Sequence, residues 1–222
     1  MTNPVMRFWR STIGRKTVMA VTGIIGIGFL LAHITGNLLV FKGPDAINSY
    51  SHFLHGPGAE LLWIARVVLI LSVILHVAAA YSLTQQSHAA RPVGYARREP
   101  QVSTFAAQTM RWGGLLILVF IVFHILHFTT GTFHPGGDYV EGDVYANVVQ
   151  AFHVWWVAAF YMFSMIVLGF HLYHGAWSSA RTLSISGDSP KPLHRRLSMI
   201  IAVVVWLGFT LVPLAILLGW VG

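Results

Sequence analysis

The 222-residue chain contains no cysteine. That absence excludes disulfides, thiolate nucleophiles, iron–sulfur clusters held by this chain and covalent c-type haem. Charge is nearly as scarce: Asp, Glu, Lys and Arg make up 9% of the residues, against roughly 25% in an ordinary soluble domain. With 55% hydrophobic residues and a mean hydropathy of +0.66, so little charge excludes both a water-soluble globular enzyme and a disordered chain. Acids are the scarcer sign, seven against fourteen Lys and Arg, for a formal charge of +7.

What the chain does have is long apolar runs. Five stretches, about 17–41, 59–83, 108–132, 151–178 and 197–220, each exceed the roughly 18 residues that mark a membrane-crossing helix. In lipid the backbone must bond to itself, so these runs are helices and not open strands. A β-barrel would need alternating segments of about ten residues, and these runs are continuous. The expected fold is an all-α membrane protein with five transmembrane helices and no separate soluble domain, residues 1–222 forming a single unit. Two connections, 42–58 and 133–145, are long enough to cap one end of the bundle.

The charges sort by connection. Arg7, Arg10, Arg15 and Lys16 precede the first span. Arg91, Arg97, Arg98 and Arg111 lie around the second connection, and Arg181, Lys191, Arg195 and Arg196 around the fourth. Lys42 and Arg66 lie on the other side with Asp45, Glu60, Asp138, Glu141 and Asp143. The positive-inside rule puts the N-terminus in the cytoplasm and the C-terminus outside. The excess positive charge is then topology, and nucleic acid is not an expected partner.

Twelve histidines are unusual in so apolar a chain. Six lie within the expected spans: His33, His76, His124, His127, His171 and His174. Intramembrane ionisable groups are costly and mark function. Counting depth along alternating helices, His33 and the pair His124/His127 fall in an outer layer, and His76 and the pair His171/His174 in an inner one. The layers are separated by about 10–15 Å at the helical rise per residue. One layer draws on helices one and three, the other on helices two and four. This suits two haems b stacked in the core of the first four helices, each gripped by two imidazoles. Bis-imidazole ligation leaves no exchangeable position and favours electron transfer. Gly23, Gly26, Gly113 and Gly114 lie where helices one and three would pass the inner macrocycle. Spacing alone leaves His124 and His127 open as alternatives, and likewise His171 and His174, because residues three apart share a broad helix face.

The stretches Phe29-Leu-Leu-Ala-His33-Ile-Thr-Gly-Asn37, Val73-Ile-Leu-His76, Arg111-Trp-Gly-Gly114 followed by Phe123-His124, and Phe170-His171-Leu-Tyr-His-Gly175-Ala-Trp177-Ser178 carry a likeness that runs over nearly the whole chain. The chain resembles the di-haem cytochrome b membrane anchor of succinate:quinone oxidoreductases, of the single-chain, five-helix kind also found in fumarate reductases. The resemblance implies that His33 and His124 ligate the outer haem iron and His76 and His171 the inner one, with His127 and His174 as neighbours toward propionates or quinone. It implies a bacterial cytoplasmic membrane. It also implies a flavoprotein and an iron–sulfur subunit docked on the cytoplasmic face, possible higher oligomers of the complex, and electrons passed through the two haems to a quinone, with menaquinone expected. No catalytic site for succinate is expected on this chain.

Reducing a quinone takes protons as well as electrons, so polar groups at an apolar edge are candidates. On the outer side these are Tyr50, His52, His55, Glu60 and Arg66. On the inner side Ser11, Arg15, Lys16, Arg111, Arg181 and His194 are candidates for propionates or a second quinone. Trp155, Trp156, Trp206 and Trp220 read as interface belt or lipid-facing residues. Rival readings are a haem b subunit of a hydrogenase or formate dehydrogenase, a fumarate reductase running in reverse, a histidine-rich di-iron hydroxylase, and a cofactor-free transporter or anchor. Two histidine depths argue against the di-iron enzyme, whose ligands cluster on one side.

Overall fold

A computed structural model describes residues 3–90, 104–185 and 192–222. Arg91, Arg97, Arg98 and Lys191 of the charge pattern lie outside the described residues. Among the described residues there is helix and no strand, as the apolar runs require. The helices are α1 (Pro4–Arg10), α2 (Thr12–Asn37), α3 (Pro44–His55), α4 (Ala59–Ala89), α5 (Phe105–His124), α6 (Val144–His153), α7 (Trp155–Thr182) and α8 (Pro192–Leu217). A 3-10 turn, Leu38–Lys42, extends α2, and a π-helical turn, Ile125–Thr129, extends α5. Five helices are long and apolar enough to cross a membrane: α2, α4, α5, α7 and α8.

Local chemistry sets several of the boundaries. Ser11 accepts a hydrogen bond from the Gly14 N–H and starts α2. Thr104 and Asp143 do the same for α5 and α6, through the N–H groups of Ala107 and Ala146. Each side chain satisfies one of the orphan donors at a helix start. The fourth apolar run does not form one helix from residue 151, as expected from its composition. Val154 adopts extended backbone, and the run divides into the end of α6 and a span beginning at Trp155. The apolar residues 151–153 belong to a cap helix that buries Ala151 and Phe152.

The spans run up and down. At one end, Thr12 donates to the Gln86 side chain (3.2 Å), Arg111 to His88 (3.0 Å) and Arg195 to the Tyr173 hydroxyl (2.8 Å). These bonds tie the start of α2, the end of α4 and the early part of α5 together, and α8 to α7. At the other end α3 and α6 pack on each other as a cap. Asn48 of α3 donates to the Asp143 carboxylate (3.0 Å) and accepts from the Tyr145 N–H (3.0 Å). The cap sits close on α2: a Cβ at Gly36 would lie 2.8 Å from the Tyr50 ring. In the connection before α6, Gly131 holds φ at +64°, and the Tyr139 ring fills the space where a Cβ would go.

The packing is uneven. The most apolar windows of α7 and α8 are 39% and 33% buried, and those of α4 and α5 only 6% each. Two buried clusters explain this. One joins α3, α6, α7 and α8 at the capped end through Ile47, Phe152, Tyr161 and Ile216. The other joins α2, α7 and α8 through Ile34, Met165, Leu168 and Val205. α8 closes tightly on α2, where Ile34 fills the place of a Gly208 Cβ at 2.8 Å. α2 and α7 therefore form a central pair, with α8 beside both, α4 on α2 and α5 on α7. Helix five thus packs beside the histidine-bearing four. Trp206 differs from a purely lipid-facing reading, because its side chain covers Gly169 at 3.5 Å.

Candidate functional site

The bundle brings the histidines together in two pairs. His33 of α2 and His124 of α5 face each other with ring centres 5.8 Å apart. His76 of α4 and His171 of α7 do so at 6.3 Å. The first pair lies toward the capped end and the second toward the basic end. The helix pairing is the one read from depth.

The alternatives left open by spacing separate in space. His127 turns away from His33. It is fully buried, its Nδ1 bonds the Tyr161 hydroxyl at 2.9 Å, and its ring stacks on Phe128 with centres 4.0 Å apart. The π turn that begins at Ile125 contributes to this, since the wider turn rotates the following residues away from the register of α5. His174 lines a cavity of about 450 Å³ at the basic end, with Lys16, Trp177, Ser178 and Arg181.

Two imidazoles sharing one metal, each bonded at about 2 Å, have ring centres about 6 Å apart. Both pairs have that spacing, so the residues present suit haem b. The surroundings agree at the inner pair. A Cβ at Gly23 would lie 3.5 Å from the His76 ring, and one at Gly114 would lie 3.6 Å from the His171 ring. Both glycines therefore keep the ring edges clear. Gly26 has open space beyond it, whereas Gly113 instead meets Val167 of α7 at 3.2 Å and serves helix packing. The His171 Nδ1 is buried without a hydrogen-bond partner. Around the outer pair, Phe29 stacks on His33 (5.2 Å), and Phe120 and Phe128 flank His124, both at 5.8 Å. Among the described residues no three His, Asp or Glu gather as a di-iron centre would require.

The remaining candidates are scattered. Arg15 donates to the Trp9 carbonyl (3.0 Å), which ties α1 to α2, and Ser11 is occupied as a cap. Arg66 lies over its helical neighbour Trp63, 5.1 Å from the ring centre. Glu60 is exposed in the first turn of α4, where the helix dipole favours an acid. His52 is exposed on α3, near Gly142. Among the described residues no hydrogen bond joins His52, Glu60 and Arg66 to one another.

Two residues of the site carried no sequence signal. Tyr161 of α7 bonds His127 and also reaches the His124 Nδ1 at 3.4 Å. Thr22 of α2 meets the His76 Nδ1 at 3.1 Å. His134, from the connection before α6, bonds the His127 carbonyl through Nδ1 at 3.2 Å, while its Nε2 is buried and unpartnered.

Across its length the chain is similar to the succinate dehydrogenase cytochrome b558 subunit of Bacillus subtilis (strain 168), with 26% identity over 209 residues, 93% of this chain and 96% of the relative. The chain belongs with the succinate dehydrogenase cytochrome b subunits. No family model and no solved structure matches it. The cytochrome b name implies haem b, and the two imidazole pairs are the groups of this chain suited to it. Among cytochrome b subunits of this family, the described part of this chain combines an aromatic-walled outer pair with a glycine-flanked inner one.

Proposed function

We propose that this chain is the membrane anchor and electron-transfer subunit of a succinate dehydrogenase, holding two haems b and passing electrons to a quinone. The observation that carries the reading is the pairing of four imidazoles from four spans at two depths, His33 with His124 and His76 with His171, in a chain of this family. His33 and His124 are the outer axial ligands, and His76 and His171 the inner ones. When bound, haem b held by two imidazoles supplies one-electron transfer with no position open to exchange.

The chain's own residues do the rest. α2 and α7 set the spacing of the two layers, and Gly23 and Gly114 keep the inner layer clear. Lys16 and Arg181, beside His174 in the inner cavity, are cations suited to propionate carboxylates. The cap of α3 and α6 keeps water from the outer pair. Quinone reduction requires proton delivery at an apolar edge, and Glu60, His52 and Arg66 at the capped end are the candidate groups, with menaquinone as the acceptor. The end bearing Arg7, Arg10, Arg15, Lys16, Arg181, Arg195 and Arg196 faces the cytoplasm, by the positive-inside rule. The C-terminus lies outside. A flavoprotein and an iron–sulfur subunit dock on the cytoplasmic end, where succinate is oxidised. The cysteine-free chain receives electrons from clusters held by a partner.

Haemochrome assay with iron and protein quantitation on the purified complex tests this. Two haems b per chain are expected, reducible by succinate. Replacing His33, His76, His124 or His171 by Ala lowers haem content, and His127→Ala or His174→Ala does not abolish it. One haem or none per chain overturns the reading. Haem lost with His174→Ala and kept with His171→Ala overturns the ligand assignment.

A further inference from the structure

The four imidazoles of the paired sites are not equally supported. In each pair, one ring nitrogen that faces away from its partner meets a hydroxyl on a neighbouring helix. At the inner pair the hydroxyl is Thr22, 3.1 Å from the His76 Nδ1. At the outer pair it is Tyr161, 3.4 Å from the His124 Nδ1. His171, by contrast, has a buried Nδ1 with no partner.

Proton counting gives the direction of these bonds. A threonine hydroxyl has one hydrogen. That of Thr22 is directed at its own helix, to the carbonyls of Val18 (2.8 Å) and Met19 (3.2 Å). Its oxygen therefore faces His76 as an acceptor, and the His76 Nδ1 is the donor. This fixes the tautomer with a bare Nε2, the form in which an imidazole binds a metal. At the outer pair a metal on the His124 Nε2 likewise leaves the hydrogen on Nδ1. Tyr161 then accepts from His124 and has its own hydrogen free for the His127 Nδ1 at 2.9 Å. The result is a directed chain, His124 to Tyr161 to His127, inside the membrane. It also accounts for a fully buried His127 that faces away from both pairs.

The two hydroxyls are crossed between the layers. Thr22 sits on α2, which supplies His33 to the other pair, and Tyr161 sits on α7, which supplies His171 to the other pair. The central helix pair thus gives each layer one imidazole and one hydroxyl.

We infer that Thr22 and Tyr161 are positioning residues, Thr22 for the inner haem site and Tyr161 for the outer, each fixing one axial imidazole by accepting its Nδ1 hydrogen. This rests on the ligand assignment proposed above. A hydrogen bond from the outer nitrogen raises the basicity of a metal-bound imidazole and favours the oxidised metal. Losing it raises the reduction potential of that site alone. At the net worth of a hydrogen bond the change is about two- to tenfold in the redox equilibrium, or about 20–60 mV for one electron.

The experiment is a redox titration of the intact complex, following each haem by its α-band and its low-spin resonance signal. It is run for wild type, Thr22→Val, Thr22→Ser and Tyr161→Phe. Tyr161→Phe keeps the ring that packs the cap, and Thr22→Ser keeps the hydroxyl. Thr22→Val raises the inner potential and leaves the outer unchanged, Thr22→Ser restores it, and Tyr161→Phe raises the outer alone. The inference fails if both haems are present and neither variant moves a potential. It also fails if each variant moves both potentials equally, or if Thr22→Ser behaves as Thr22→Val. Should Thr22→Val not assemble, the Tyr161→Phe arm and the resonance signal of Thr22→Ser decide in the same way. Wild-type complex without two haems would instead be a failure of the ligand assignment, visible before any variant is made.

Discussion

The two imidazole pairs occupy unlike halves of one bundle. The outer pair is walled by aromatic rings, with Phe29, Phe120, Phe128 and Phe209 around His33 and His124. It lies under a cap whose buried cluster draws on four helices. The inner pair is flanked by Gly23 and Gly114 and lies toward the end that carries the 450 Å³ basic cavity. The difference shows two ways of making a site. In the outer half, protein packing fixes the imidazoles. In the inner half the chain supplies clearance, so the bound group completes the packing. The uneven burial of the spans fits this, since α4, which carries His76, is among the barest.

The largest expected effect follows from that clearance. Gly114→Leu and Gly23→Leu put bulk against the His171 and His76 rings, only 3.6 and 3.5 Å from the new Cβ positions. Each variant should lose the inner haem and keep the outer, read as a halved haem-to-protein ratio with one of two resonance signals missing. Gly26→Ala, with open space at that position, should keep both. Loss of both haems from Gly114→Leu would break the comparison, because the halves would then not be independent.

A smaller effect is expected from the cap. Asn48 makes two hydrogen bonds to the connection some 95 residues later in sequence, one to Asp143 and one from the Tyr145 N–H. Asn48→Ala removes both and leaves a part-buried N–H unpaired, at a cost of about 1–3 kcal/mol. The cap should loosen, with faster protease cleavage within 130–143 and a lower melting temperature of the detergent-solubilised complex. The inner haem's spectrum should be unchanged, and a change there would show that the cap acts on the whole bundle.

Much of this was legible in the sequence for a physical reason. Lipid forces every long apolar run into a helix, so five spans, their alternation and the depth of each histidine follow from counting. What counting missed lies where backbone departs from regular helix or where a polar group satisfies itself locally. The break at Val154 has no Pro or Gly to announce it, and the residues before it are apolar. The π turn after His124 separates His124 from His127, which an ideal helix keeps on one broad face. Thr22 bonds its own helix, so nothing in its neighbours distinguishes it from an ordinary buried threonine. Tyr161 was hidden for the opposite reason: its partners come from 34 and 37 residues away, through tertiary packing alone.

The smallest expected effect concerns pH at the capped end. The Asp143 carboxylate accepts from the Ala146 N–H and from the Asn48 amide. These bonds hold it below its usual value, the backbone bond contributing most. A carboxyl lowered on folding stabilises the folded cap at every pH above its unfolded value of about 3.9. That contribution fades as pH falls through the lower folded value, because protonation removes the charge that the two donors favour. The group is largely exposed, so solvent screens the effect and it should be small. Protease sensitivity within 130–143 should stay flat from neutral pH down to about 4 and rise below it. In Asp143→Asn that acid limb should flatten, because the amide keeps an acceptor for Ala146 and does not titrate in this range. The inner haem should ignore both changes. An acid limb that persists in Asp143→Asn would assign the titration to Asp45, Asp138 or Glu141 of the same end.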